Sequence, residues 1–304
     1  MPLPVFRLIV FALALLASGC EQKPNRQGPE YGSAPPAQPA TTYHLAIHPL
    51  HNPIKLQHDY QPLIEYLNDQ VQDARLELES SRDYGNFEEK FRARGPEFLL
   101  PNPWQTLEAM KAGYTVIAMA GQPDDFKGLF LVRRDSGIKT PADLKGKAVS
   151  YPSPTALAAC IMPQYFLYEH GLKVNTEVEN RYVGSQESSI MNVHLKLTAA
   201  GATWPPPWRA FQKEHPREAA ELQVIWETPS LINNSVMARD DVPPQVREQV
   251  RLALLRLQDT PAGRAILAGM ETNRFLPAAD ADYEIVRQYI ARFEQKVRPV
   301  ELKR

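Results

Sequence analysis

The sequence is poor in what catalytic and metal-holding chains usually carry. Two cysteines, Cys20 and Cys160, occur among 304 residues, so no cysteine cluster can hold a metal. There is no Gly-rich phosphate loop, no His-x-x-x-His pair and no visible nucleophile–base–acid set. These absences argue against an enzyme, a cofactor or a metal. Charge of one sign is also lacking. Thirty-four Lys and Arg balance 35 Asp and Glu, for a net charge of −1, which excludes a nucleic-acid footprint. Internal repeats are absent. The apolar run at residues 8–17 is short of the roughly 20 residues that span a bilayer.

What is present begins with an export signal. Arg7 precedes the apolar run, which ends in Leu16-Ala17-Ser18-Gly19-Cys20. Small residues before a cysteine at that point resemble a bacterial lipobox, so residues 1–20 read as a lipoprotein signal peptide with Cys20 lipidated. The expected location is the periplasm, lipid-anchored to a cell membrane, inner or outer. Residues 21–42 hold Pro24, Pro29, Pro35, Pro36 and Pro39 with little apolar content. Such a segment cannot bury a core and reads as a disordered tether. Cys160 then has no disulfide partner and reads as a buried thiol.

The remaining chain alternates strand and helix, which predicts an α/β fold. Strands are predicted at 43–48, 75–79, 97–100, 115–120, 128–132, 147–151, 179–183, 200–203, 223–227 and 235–237. Helices are predicted at 59–71, 87–94, 103–112, 156–169, 187–197, 244–257, 261–270 and 281–297, with a capped helical turn at Thr140-Pro141-Ala142-Asp143. The run Trp204-Pro205-Pro206-Pro207-Trp208 reads as a rigid loop.

Ligands in open α/β sheets sit beyond the carboxyl ends of strands. Four strand-to-helix junctions carry polar or aromatic residues there. They hold Tyr84; Asn102 with Trp104; Tyr151 with Ser153 and Thr155; and Gln186. Asn102-Pro103 and Ser153-Pro154 share one device, a capping residue followed by proline. A helix start of that kind leaves backbone N–H groups for an anion. At the second start, the Thr155 and Ala156 N–H groups and the Ser153 and Thr155 hydroxyls are the expected donors. His48 and His51 follow the first strand and are weighed as cleft residues against ordinary surface histidines.

RRDSGIKTPADLKGKAVSYPSPT at 133–155 resembles a segment of the type 2 periplasmic solute-binding proteins of phosphate, phosphite and phosphonate ABC importers. SRDYGNFEEKF at 81–91 and YVGSQESSIMNV at 182–193 resemble further segments of that family. So do HPLHNPIKLQHDYQPLIEYLNDQV at 48–71 and ARDDVPPQVREQVRLALLRLQDTPAGRAIL at 238–267. The order of these segments covers residues 43–295. The resemblance implies two α/β lobes joined by two crossing strands, with a ligand cleft between them. Lobe 1 is expected at 43–126 plus 238–304, lobe 2 at 133–230, and the hinge crossings at 127–132 and 231–237. It implies a small anionic ligand, an ABC permease as partner, a membrane tether through Cys20 and a monomer.

Departures from the family pattern concern the ligand. Gln186 stands where the family often has histidine, and Ala199 where it has aspartate. An acid to pair with an aminoalkyl group is missing there, which weakens an aminophosphonate ligand and points equally to a bare oxyanion or a different polar metabolite. The leading expectation is an ABC importer's solute-binding lipoprotein for a phosphate, phosphite or phosphonate. Alternatives are a sensor module that signals through a partner membrane kinase, binding of a different small polar metabolite, and a periplasmic enzyme.

Overall fold

The computed structural model describes residues 40–301. The signal peptide, Cys20 and most of the predicted tether lie outside the described residues. Two mixed sheets organise the rest. The first has the order β11-β4-β10-β3-β1-β2. Its strands are β1 (Thr41–Ile47), β2 (Ala74–Glu79), β3 (Phe98–Leu100), β4 (Tyr114–Ala120), β10 (Ser235–Arg239) and β11 (Phe275–Leu276). The second has the order β7-β6-β8-β5-β9. Its strands are β5 (Leu129–Arg133), β6 (Ala148–Tyr151), β7 (Glu179–Tyr182), β8 (Ala200–Thr203) and β9 (Leu222–Glu227). β1 pairs parallel with β2 and β3, and β6 with β7 and β8. Such central strands are covered on both faces and read as apolar runs. Leu45, Ile47, Phe98 and Leu99 are accordingly buried.

Helices cover both sheets. In the first lobe, α1 (Pro53–Gln70) starts six residues before its predicted position. Asn52 caps it by accepting from the Lys55 N–H, and Pro53 takes the first turn. That is the Asn-Pro device seen again at α3 (Pro103–Lys111). Between them, α2 (Tyr84–Arg92) is capped by Asp83, which accepts from the Asn86 N–H. Phe87 and Phe91 of α2 are fully buried, each worth about 1.5–3 kcal/mol of transfer free energy.

The second lobe holds α4 (Met162–Glu169), α5 (Val174–Glu177), α6 (Gln186–His194), α7 (Pro205–Glu214) and α8 (Pro216–Ala220). Here the rigid-loop expectation fails. Pro205, Pro206 and Pro207 form the first turn of α7, where a missing N–H forfeits no helical hydrogen bond. The chain closes in the first lobe with α9 (Pro244–Arg256), α10 (Pro261–Gly269) and α11 (Glu284–Lys296).

The chain crosses between sheets through residues 121–128 and returns through 228–234. The predicted crossings lie partly inside the sheets. Leu129, Phe130 and Leu131 pair with β8 and β9, and Ser235–Arg239 pair with β4. Apolar strand formers are drawn into the ladders, and Gly, Pro and Asn remain for the connectors. The two connectors run side by side. Ala120 donates to Asn234 O at 2.8 Å, Leu231 to Phe126 O at 2.9 Å, and Thr228 to Gly128 O at 2.9 Å.

Candidate functional site

The strand ends of both sheets converge on one small cavity. Its polar wall is His48, Tyr84, Asn102, Gln186 and Asn234. Its apolar wall is Phe126 and Trp204, with rings 5.4 Å apart. The stretch Ala156 to Ala159 forms the remaining side. Among the described residues, no Lys, Arg, Asp or Glu lines it.

That stretch is the start of the helix continued by α4. It opens as a π turn, Leu157–Ile161, with the Ile161 N–H bonded to Ala156 O at 3.1 Å. An i→i+5 turn leaves its first N–H groups further from any acceptor than an α turn would. Among the described residues, no acceptor outside the helix meets the N–H of Leu157, Ala158, Ala159 or Cys160. All four residues are buried. This differs from the expected anchor. Ser153 does not cap a helix, because 153–156 is a turn closed by Ala156 N–H to Ser153 O at 3.2 Å. The Thr155 N–H donates to Ser153 Oγ at 3.3 Å. The two N–H groups assigned to an anion are thus already engaged, and the free ones begin at Leu157.

Gly128 lets the helix start sit where it does. A Cβ there would lie 2.6 Å from Ala158 O and 2.9 Å from the Pro163 ring. Backbone of the first connector therefore lies directly against the bare turn.

The predicted site residues divide into three groups. Tyr84, Asn102 and Gln186 line the cavity. Gln186 is oriented by Thr203, whose hydroxyl donates to Oε1 at 2.9 Å, while its Nε2 donates to the Tyr84 oxygen at 3.1 Å. The Tyr84 proton is thereby left for another acceptor. Burial drives its pKa well above the ordinary phenol value. Ser153 and Thr155 stand just behind the cavity, on an open groove of about 560 Å³ that Tyr84 also lines. Trp104 and Tyr151 line neither space. Both are core residues, 3% and 0% exposed.

Several hydrogen bonds cross between lobes at this point. Asn102 Nδ2 donates to Thr155 O at 3.2 Å. Thr155 Oγ1 donates to Glu88 Oε1 at 2.7 Å, and Gln105 Nε2 donates to the same oxygen at 3.1 Å. Burial raises the Glu88 pKa, and the two donors partly offset that rise. Farther out, buried Arg298 reaches from the end of α11 to Pro154 O at 3.0 Å and Gln164 Oε1 at 2.8 Å. The two lobes are held shut by direct contacts.

His48 Nδ1 lies 2.9 Å from Leu100 O. A carbonyl only accepts, so Nδ1 carries the proton. Burial lowers the His48 pKa to about 4, which keeps the ring neutral with Nε2 as an acceptor. His51 is likewise pushed down to about 4, chiefly by burial, but does not line the cavity. Cys160 is a free, buried thiol, with its pKa pushed up by burial to about 12. Sequence reasoning missed Asn234, Phe126 and the cavity face of Trp204. The Asn233-Asn234 pair between two apolar runs was the available signal. Ala199 lies away from the cavity, its N–H bonded to Ala148 O.

The comparisons with known proteins bear on the family and the fold. Residues 45–283 match the family described as "ABC transporter, phosphonate, periplasmic substrate-binding protein". A probable ABC transporter phosphite-binding protein, PhnD1 of Prochlorococcus marinus (strain MIT 9301), is 24% identical over 196 residues. The alignment covers 60% of this chain and 66% of that protein, just under two thirds of its length. A binding protein component of an ABC phosphonate transporter from Pseudomonas aeruginosa superposes with a TM-score of 0.78 at 15% identity, over 84% of this chain and 88% of that one. Prochlorococcus PhnD1 in complex with methylphosphonate gives 0.76 at 18% identity, over 85% and 100%. Two sheets joined by paired connectors, a cavity at the strand ends and a match over most of the chain lead to one conclusion: the chain belongs to the family of periplasmic substrate-binding proteins of phosphonate ABC transporters.

Proposed function

We propose that this chain captures a small phosphorus oxyanion of the phosphite or methylphosphonate class in the interlobe cavity and delivers it to an ABC permease. One observation carries the reading: a buried helix start at Leu157 to Ala159, whose N–H groups meet no acceptor outside their own helix, at a small cavity that straddles both lobes. Such a start concentrates about half a positive charge and fixed donors. Size narrows the ligand. The cavity measures about 10 Å³, room for about one water, so only a compact ligand suits it. The rings of Phe126 and Trp204 suit a substituent that is not oxygen, such as hydrogen or methyl. An aminoalkyl chain finds neither space nor an acid at the wall.

The same reading makes the protein a carrier and not an enzyme, with Cys20 as its lipid anchor and closure about residues 121–128 and 228–234. Thermal melting tests the ligand. Methylphosphonate or phosphite at 100 times its Kd adds roughly 2.7 kcal/mol to the stability of the folded state. A melting temperature unmoved by millimolar concentrations of either sinks the proposal. Metabolic labelling with palmitate tests the anchor: the Cys20→Ala chain should take up no label, and undiminished labelling disproves it.

A further inference from the structure

The cavity wall contains acceptors as well as donors, and a fully deprotonated anion cannot use an acceptor. Asn234 is 3% exposed and belongs to the second connector. Its backbone is fixed on both sides, with its N–H donating to Asn233 Oδ1 at 2.8 Å and its carbonyl accepting from Ala120. Its side-chain Oδ1 is buried and meets no donor among the described residues. A buried acceptor without a partner is costly unless a ligand supplies the donor. His48 adds a second acceptor on the same wall. Its Nδ1 proton is committed to Leu100 O, which leaves Nε2 with a bare lone pair. Among the described residues no Lys or Arg lines the cavity, so no side-chain cation there offsets the second charge of a dianion.

We propose that the cavity binds its oxyanion as the monoanion, with the remaining acidic proton donated to Asn234 Oδ1 or His48 Nε2, and that it rejects sulfate for want of that proton. This rests on the oxyanion reading above and narrows it. Phosphorus oxyanions lose their second proton near neutral pH, at about 6 for a phosphate monoester; sulfate has no such proton to offer. The surrounding protein groups do not imitate that titration. His48 and His51 are neutral above about pH 4. Burial holds the Tyr84 hydroxyl protonated. On the neighbouring connector, Asp125 is tied to Arg209 at 2.8 Å. Glu88, behind Thr155, is the acid to watch, and its carboxylate faces Thr155 and Gln105, not the cavity wall.

Calorimetry on the purified chain with methylphosphonate, phosphite, phosphate and sulfate between pH 6 and pH 9 tests this. Methylphosphonate should bind about a hundredfold tighter than sulfate at pH 6. Its affinity, counted on total ligand, should fall by up to about tenfold per pH unit above its second pKa. Asn234→Ala should weaken methylphosphonate about tenfold and leave sulfate unchanged. Sulfate within about threefold of methylphosphonate, or an affinity that holds or rises toward pH 9, overturns the inference and leaves the oxyanion site standing. Equal losses for both anions in Asn234→Ala overturn the role given to that residue. Failure of all three phosphorus anions to bind overturns the site as well.

Discussion

Two helix starts face each other across the lobes, and they handle the same problem in opposite ways. At α3, Asn102 accepts from the Trp104 and Gln105 N–H groups, and the Gln105 side chain accepts in return from the Asn102 N–H. That capping box uses up the donors of the first turn. At Leu157 no side chain caps the turn. The two are linked, since Asn102 Nδ2 reaches Thr155 O just before the bare turn. A satisfied start thus acts as a fixed post against which an unsatisfied one is held. Stability is placed at the first and, in the proposed reading, binding capacity at the second. A protein that must bind and release can leave donors open only where the neighbouring backbone is rigid.

The largest effect should come from breaking the support of the bare turn. Gly128→Val places a branched side chain where even a Cβ would meet Ala158 O at 2.6 Å. Overpacking of this kind costs about 1–3 kcal/mol, and the displaced turn should lose ligand affinity by about a hundredfold or more. Calorimetry with methylphosphonate and a urea titration measure the two losses. Parent-like binding would show that the position of the turn does not matter. Next comes Asn102→Ala. It removes a cap, for a stability loss of about 1–2 kcal/mol, and also removes the hydrogen bond to Thr155 O. Affinity should drop about tenfold. A stability loss with unchanged affinity would separate the two helix starts and refute the coupling.

The contrast explains what the sequence disclosed. Asn102-Pro103-Trp104-Gln105 is a local signal, four residues long, and the structure uses it locally. The alternation of strands and helices was equally readable, because each element is set by its own periodicity. The Ser153-Pro154 start has the same local grammar and a different outcome. Its conformation is set from far away, by Gly128 in the first connector and by Arg298, 144 residues downstream, bonded to Pro154 O. Distance in sequence also hid Asn234 and the second face of Trp204, which reach the cavity only when the connectors lie side by side. The three prolines of α7 misled in another way. Proline forbids a helix interior but suits its first turn, and without the far boundary the two cases look alike. Trp104 and Tyr151 were correctly placed at junctions, yet a junction has an inner and an outer side, and both rings point into the core.

The test with the smallest expected effect on ligand affinity addresses the bond that joins the two regions through Glu88. Its carboxyl is buried and its pKa lies above the ordinary carboxylate value. A group with a raised folded-state pKa binds its proton more tightly when folded. Stability should therefore fall as pH rises from about 4.3 to that raised value, and change no further above it. Glu88→Gln keeps a hydrogen-bonding acceptor for the Thr155 hydroxyl and cannot ionise, so it should flatten that acid-side slope. Thr155→Val deletes one of the two donors to the carboxylate. It should raise the Glu88 pKa further and extend the falling region to higher pH, with a loss of about 1–3 kcal/mol at neutral pH. Thr140→Val is the matched control. Its hydroxyl bonds Asp143 at 3.1 Å on an exposed turn of the second lobe, away from both helix starts. It should lower stability by about 1 kcal/mol or less and leave both the slope and ligand affinity as they are. Melting curves from pH 4 to pH 8 for the parent and the three variants decide the matter. If Glu88→Gln retains the parent's slope, the carboxylate is ionised throughout, and the lobes are joined there by a charged hydrogen bond instead of a titrating one.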